Sequence, residues 1–261
     1  MNSSLNIRLS VVIITYNEEK NIARCLQSVK EVADEVVVVD SFSTDRTAEI
    51  CAEFGVRFVQ HPFGGHIEQK NHALSLATYP HVLSLDADEA LTPELSQRIG
   101  EIKQNWSADG YVFHRLTYYC GHWVRHGGWY PDAKLRLWDK RRGQWGGVNP
   151  HDKVVMAEGA RIERIPLDLL HYSYYSIAQH FDQFNKFTSI GAREAVAAGK
   201  KASWADLLIR PYWKFWRDFV IKGGFLDGYY GFVIAMISAH ATFIKYVKIR
   251  ELWKNQTPRS S

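Results

Sequence analysis

Leu9-Ser10-Val11-Val12-Ile13-Ile14-Thr15-Tyr16 is a nearly unbroken apolar run rich in β-branched residues, the composition of a strand buried on both faces. Working outward from it, Ile22, Leu26 and Val29 recur at helical spacing and predict a helix over 22–29. Glu35-Val36-Val37-Val38-Val39-Asp40 reads as a second buried strand. Ser43-Thr44-Asp45 supplies a hydroxyl cap and a first-turn acid for a second helix through Phe54, and Gly55 stands where a C-terminal glycine belongs. A short strand over 56–60, a helix over 67–77 and the strand His81-Val82-Leu83-Ser84-Leu85-Asp86 follow. Thr92-Pro93-Glu94 then reads as cap, first-position proline and acid of a fourth helix. Such alternation predicts an α/β fold, Rossmann-like, with a mostly parallel sheet and helices on both faces. Ligands of these sheets bind at the carboxyl ends of strands, which is where Asp40 and Asp86 stand.

The chain has 261 residues, of which 46% are hydrophobic, enough for a sizeable core and too many for wholesale disorder. A formal net charge of +4 is mild at this length; no nucleic-acid partner is expected, because such partners select clustered basic stripes. Cys25, Cys51 and Cys120 show no metal spacing and are too few for a disulfide framework, which favours a reducing compartment. The first ten residues lack the apolar stretch of a signal peptide, so a cytoplasmic chain is expected. Past residue 105 the pattern loosens. Tyr111-Val112-Phe113 and Leu135-Arg136-Leu137-Trp138 read as strands of a mixed edge region, and from Ile177 the chain reads as helical.

Asp86-Ala87-Asp88-Glu89 is the central chemical signal. Two carboxylates separated by one residue, just past a buried strand, can project into one cleft and hold a hard divalent cation such as Mg²⁺ or Mn²⁺. The plainer alternative is a pair of solvated acids before the next helix, and the position after the fourth strand weighs against it. Asp40 can accept from a base imide or a ribose hydroxyl; otherwise it caps the entry to the following helix.

Four motifs, Val12-Ile13-Ile14-Thr15-Tyr16-Asn17-Glu18, Val38-Val39-Asp40-Ser41-Phe42-Ser43-Thr44-Asp45, Gln69-Lys70-Asn71-His72-Ala73 and Leu85-Asp86-Ala87-Asp88-Glu89, resemble in order and spacing the motifs of family 2 glycosyltransferases with the GT-A fold. Gly128-Trp129-Tyr130-Pro131-Asp132, Leu135-Arg136-Leu137, His151-Asp152 and His171-Tyr172-Ser173 further resemble the bacterial lipopolysaccharide core glucosyltransferases. That subgroup typically carries His-Glu where this chain has His151-Asp152, a shorter carboxylate arm. The resemblance implies an inverting, metal-dependent hexosyltransferase. UDP-glucose is the implied donor, and an inner-core sugar of lipopolysaccharide or another lipid-linked glycan the implied acceptor. Thr15, Tyr16, Asn17 and Glu18 would line the nucleotide, with Glu18 alternatively a solvated cap. Asp40, Lys70 and Asp86 would bind the nucleotide sugar, Asp88 and His171 would hold Mg²⁺ or Mn²⁺, and His151 would face the acceptor.

Inverting transfer needs one general base for the acceptor hydroxyl. Asp152 and Asp132 are the candidates; Asp152 is favoured, while Asp132 also suits a turn after Pro131. Trp129 is the aromatic singled out for an acceptor sugar, because Gly127 and Gly128 leave space beside it; ordinary packing accounts for most of its aromatic neighbours. Residues 1–200 are read as the GT-A domain and 201–261 as a helical, membrane-associating region. There Trp204, Tyr212, Trp213, Phe215, Trp216 and Phe219 mix with Arg210, Lys214, Arg217 and Lys222, a composition for peripheral contact with an anionic bilayer. Asp227, His240 and the glycines weigh against a spanning segment. The competing readings are a polyprenyl-phosphate glycosyltransferase, a sugar nucleotidyltransferase and a non-catalytic membrane-bound scaffold. A nucleotidyltransferase would want a glycine-rich loop where Thr15-Tyr16-Asn17-Glu18 stands, and a decayed scaffold would have lost one of Asp40, Asp86 and Asp88.

Overall fold

The computed structural model describes residues 6–148 and 151–256. They comprise β1 (Leu9–Thr15), α1 (Ile22–Val29), β2 (Glu35–Asp40), α2 (Thr47–Glu53), β3 (Arg57–Gln60), α3 (His66–Leu76), β4 (His81–Asp86), β5 (Glu89–Leu91) and α4 (Pro93–Gln104). Then come β6 (Gly110–Tyr119), β7 (His122–Val124), β8 (Asp132–Asp139), β9 (Gly143–Val148), β10 (His151–Met156), β11 (Ile162–Tyr174), α5 (Ile177–Ala197), α6 (Trp204–Trp216) and α7 (Gly228–Gln256). The chain folds as two compact units, residues 1–116 with 132–172, and residues 117–131 with 173–261.

In the first unit, β3, β2, β1 and β4 are parallel neighbours in that order. Side-chain alternation along β1 explains why it is apolar throughout. Leu9, Val11 and Ile13 pack with Ile22, Cys25 and Leu26 of α1 and with Leu95 and Ile99 of α4. Val12 points the other way, onto Ala73 and Leu74 of α3. A strand covered on both faces has no polar side to show. Because β1 is flanked by β2 and β4, the strand order reverses there, which opens a crevice at the carboxyl ends. Register places Thr15 opposite Asp40, and Ile14 opposite Asp86, at that same end.

The sheet then turns antiparallel, in the order β4, β8, β6, β11, β5, with β7 on β6. Contrary to the edge placement expected of them, Leu135–Trp138 and Tyr111–Phe113 lie inside the sheet: β8 pairs with both β4 and β6, and Trp138, Tyr111 and Phe113 are wholly buried. A second expectation fails at α2. Ser43 does not cap it; the helix starts at Thr47, and Asp45 Oδ1 accepts from Thr47 N at 3.0 Å. Ser43 is diverted to the carboxylate of Asp40. Thr92 does cap α4, accepting from Leu95 N.

In the second unit, α5 and α6 each open with a capping box, Ser176 with Gln179 and Ser203 with Asp206. After α6 come a π-helical turn, Arg217–Ile221, and a 3₁₀ turn, Gly224–Asp227. A side chain at Gly231 would collide with the Gly224 carbonyl, so glycine is required where α7 leaves that turn. Gly224–Asn255 is long and apolar enough to cross a bilayer by length and composition alone. One side of α7 is nonetheless committed to protein: Ile249 packs on Ala192 and Val196 of α5. Lys248 Nζ donates to the Asn185 carbonyl, Thr188 Oγ1 and Ser189 Oγ within 2.9 Å.

Candidate active site

The crevice begins with two loops tied together by short polar side chains. Asn17 takes a left-handed backbone conformation, φ 54°, which asparagine tolerates better than most residues. This lets its amide N donate to Ser43 Oγ at 2.8 Å while its Oδ1 accepts from Thr44 N at 2.8 Å. Asp40 is wholly buried and accepts from Ser43 N at 2.8 Å, Gln60 Nε2 at 3.3 Å and the Ser43 hydroxyl. The structure thus places Asp40 as the anchor of this loop pair, and chain donors engage both of its oxygens. Thr15 Oγ1 is buried without a hydrogen-bond partner, and Tyr16 is exposed.

Glu18 is half-buried and accepts from Asn21 Nδ2 at 2.7 Å. Burial first, and the charge of Asp88 second, push its carboxyl up to about 7.

The centre of the first unit is a charge network. Lys70, on α3, has only 4% of its side chain exposed; its Nζ lies 3.0 Å from Asp86 Oδ1 and 2.7 Å from Asp152 Oδ2. The ammonium also sits 4.3 Å over the Trp145 ring, a cation–π contact that a buried cation gains from. Arg136 Nη2 reaches Asp86 Oδ2 at 3.0 Å and Glu89 Oε1 at 2.6 Å. Burial opposes ionisation of Asp86, but Lys70 and then Arg136 outweigh it and hold the carboxyl well below the usual carboxylate range. Asn71 clamps the β9–β10 hairpin that carries Asp152: its Nδ2 donates to the Trp145 carbonyl at 2.9 Å, and its Oδ1 accepts from Trp145 N at 3.0 Å.

Asp88 follows β4 and precedes the three-residue β5. Because β5 pairs with β11, with His171 opposite Glu89, His171 Nε2 comes 3.2 Å from Asp88 Oδ2. Among the described residues no cluster of three or more His, Cys, Asp or Glu side chains is arranged to hold a metal ion. The Asp88–His171 pair still fits two protein ligands of a cation that takes its remaining oxygens from substrate phosphates and water. Adjacent ligands at bonds of about 2.1 Å in an octahedron lie about 3 Å apart, and His171 Nδ1 is buried with no competing hydrogen bond. Asp86, already neutralised by two cations, is a weaker candidate for a direct ligand.

Asp132 is engaged by Arg115 Nη2 at 2.8 Å and Lys134 Nζ at 3.1 Å; it opens β8 instead of sitting in a free turn. The side chain of His151 lies outside the described residues; its backbone pairs with Val148. Sequence reasoning missed Arg136, Glu89 and Arg115 as members of the network. Arg136 carried a signal: a guanidinium between Leu135 and Leu137 in a strand must find buried carboxylates.

In the second unit, the space expected beside Trp129 is filled. A Cβ on Gly128 would meet Asp218 Oδ2 at 3.2 Å, and one on Gly127 would meet the Asp218 carbonyl at 3.5 Å. Trp129 itself packs at 5.4–5.7 Å between ring centroids on Tyr119, Tyr174 and His180. His180 faces the Tyr119 hydroxyl at 2.9 Å, and burial lowers its pKa from 6.5 to about 4. The folded state therefore favours neutral His180. Its contribution is complete above pH 6.5 and is lost as pH falls toward 4, up to about 3 kcal/mol. Melting temperature is expected to drop between pH 7 and pH 5 by more in the native protein than in His180→Phe; equal slopes would remove His180 as the source.

A sheet with its order reversal at β1, a DxD acid pair at the end of β4 and a histidine returning from β11 define an α/β protein of the GT-A fold. The comparisons agree. The profile of the family described as Glycosyl transferase family 2 matches residues 10–161, and the chain belongs to that family. An uncharacterised glycosyltransferase of Rickettsia conorii is 34% identical, over 96% of this chain and 93% of its own. The lipopolysaccharide core biosynthesis glycosyltransferase LpsC of Rhizobium meliloti is 29% identical, over 92% of this chain and 91% of its own. Among solved structures, the mannosyltransferase PcManGT of Pyrobaculum calidifontis, in complex with GDP-Man and Mn²⁺, superposes with a TM-score of 0.55 at 17% identity. It covers 96% of this chain and 88% of that one; at that identity the likeness speaks to the fold.

Proposed function

We propose that this glycosyltransferase moves a hexose, glucose from UDP-glucose as the first choice, onto a lipid-linked glycan of the lipopolysaccharide inner-core type, with inversion. The observation that carries the reading is the Asp88–His171 pair at the carboxyl end of β4, beside Asp86, Lys70 and Asp152. The full-length likeness to LpsC supports the acceptor class.

Asp88 and His171 would hold Mg²⁺ or Mn²⁺; PcManGT was crystallised with Mn²⁺. Such an ion, when bound, neutralises the diphosphate as the bond to the sugar breaks. Thr15, Tyr16 and Asn17 line the loop that meets the nucleotide, and Asp40 braces that loop from beneath. Lys70 and Arg136 fix Asp86 toward the donor. Asp152 is the better placed base. Lys70 engages its Oδ2 and binds Asp86 with the same ammonium, so Asp152 stands next to the donor-side acids, with Oδ1 left to take the acceptor proton. Asp132 is held between Arg115 and Lys134 instead. Catalysis resides in residues 1–200, and residues 201–261 hold the enzyme peripherally at the cytoplasmic face of the inner membrane, where such an acceptor is met.

Calorimetric titration with UDP and UDP-glucose, with and without Mn²⁺, tests the donor half. Metal-dependent binding is expected, and binding of no nucleotide sugar from a panel would discard the reading. For the base, Asp152→Asn is expected to lower kcat by about 10²–10⁴-fold with donor affinity retained; the same loss in Asp132→Asn, with Asp152→Asn active, would move the role to Asp132.

A further inference from the structure

The end of α6, the turn that joins it to α7 and the first residues of α7 show apolar surface out of proportion to a water-facing element. Tyr212, Trp213, Trp216, Ile221, Leu226 and Tyr229 are each 55–73% exposed. Large apolar side chains exposed together along one short stretch of chain are the composition of an interaction site. The occupant is indicated by charge. Residues 201–229 carry five cations, Lys201, Arg210, Lys214, Arg217 and Lys222, against three acids. All three acids are engaged within the chain, Asp206 by Arg210, Asp218 by Lys214 and Arg217, and Asp227 by the backbone of Arg125 and His126. Trp and Tyr among lysines and arginines match the headgroup layer of an anionic bilayer, where aromatic rings sit at the boundary and the cations meet phosphates.

Residues 122–128 grip this turn from behind. Asp227, buried at its end, accepts from Arg125 N at 3.1 Å, from His126 N at 2.8 Å and from His126 Nδ1 at 3.1 Å, and His122 Nε2 lies at 3.4 Å. Gly127 N donates to the Lys222 carbonyl at 2.9 Å, and Gly128 lies against the Asp218 carboxylate. Residues 122–128 are thus fastened to the apolar turn at three points along it, and Trp129 follows directly. A buried carboxylate with this many donors is costly to pull apart.

We propose that residues 217–229 enter the interface of an anionic bilayer and that Asp227 transmits this contact to residues 122–128, so that lipid binding orders the segment leading to Trp129. The inference rests on the membrane-bound acceptor for its purpose, but its test does not require sugar transfer.

The full-length chain is mixed with vesicles of phosphatidylglycerol and phosphatidylcholine, or of phosphatidylcholine alone, and floated on a density gradient. Flotation with the anionic vesicles is expected, and its loss in the double variant Ile221→Asp, Leu226→Asp. Backbone amide exchange at Arg125 and His126 is expected to slow by about tenfold or more on adding anionic vesicles. Asp227→Asn is expected to float normally without that slowing; should it fail to fold, His126→Ala, which removes one side-chain donor, is expected to show a reduced effect. Equal flotation of the double variant, or none of the native chain, overturns the surface. Flotation with unchanged exchange overturns the coupling. Light scattering that shows self-association burying this face, with no flotation, assigns it to a second copy instead. A chain that floats, shows the slowing and transfers no sugar would leave this inference standing and remove the proposed reaction.

Discussion

Asp88→Ala is expected to lower sugar transfer by about a thousandfold or more while the protein keeps its melting temperature within a few degrees. The size follows from what the residue does in the proposed reaction. Loss of a metal ligand removes several kcal/mol of charge stabilisation from a leaving diphosphate, and about 4 kcal/mol is a factor of a thousand. The fold should survive because the Asp88 side chain pairs with His171 in the crevice, while the backbone bond from Tyr172 N to the Asp88 carbonyl does not depend on the side chain. His171→Ala is expected to weaken Mn²⁺-dependent UDP binding in the same direction. Transfer assayed over a Mn²⁺ series, with calorimetry on the same samples, checks both. Near-native turnover in Asp88→Ala would sink the assignment of the pair as the cation site.

Arg136→Leu is expected to cost about 3–5 kcal/mol of stability, because it takes the nearest cation from the buried Glu89 carboxylate, while Asp86 keeps Lys70. Glu89 Oε1 lies 2.6 Å from Arg136 Nη2, and its side chain is 0% exposed. The next cation, Arg115, stands off at 3.7 Å. For a chain of this size that loss corresponds to a melting temperature lower by about 10 °C. The double variant Arg136→Leu, Glu89→Leu is expected to recover most of it, because a buried pair replaced on both sides by apolar groups is close to neutral. Thermal unfolding of the native protein, the single and the double variant separates the outcomes. A single variant within about 1 kcal/mol of the native protein would show that the network fixes position without adding stability. Donor binding by the double variant then reports whether Asp86 needs Arg136 to hold its orientation.

The first ninety residues were legible because their information is local. A strand buried on both faces must be apolar at every position, as β1 is, and a helix over one side of the sheet must repeat at its own period, as α1 does. Thr92 and Gly55 marked helix ends for equally local reasons. The acid pair after β4 was visible for the same reason: carboxylates directly after a buried strand have little other cause to be there. Local chemistry misled at Ser43, which has the makings of a cap but bonds Asp40, since a buried carboxylate competes for the hydroxyl more strongly than a solvated helix end does.

What only tertiary structure decided is who meets whom across long separations. Lys70 is 82 residues from Asp152 and 2.7 Å from it. His171 reaches Asp88 because a three-residue strand pairs with β11 in one particular register. Arg136 lies in the sheet interior because β8 inserts beside β4. Trp129 looked open in sequence because two glycines precede it, and the structure fills that space with Asp218. The sequence by itself determined the parallel half-sheet, the helices that cover it and the acids at its carboxyl ends, since each follows from spacing along the chain. The antiparallel half, the charge network and the fastening of residues 122–128 to the apolar turn were decided by the fold, because strand order and ion pairing depend on distances that the chain closes only when it packs.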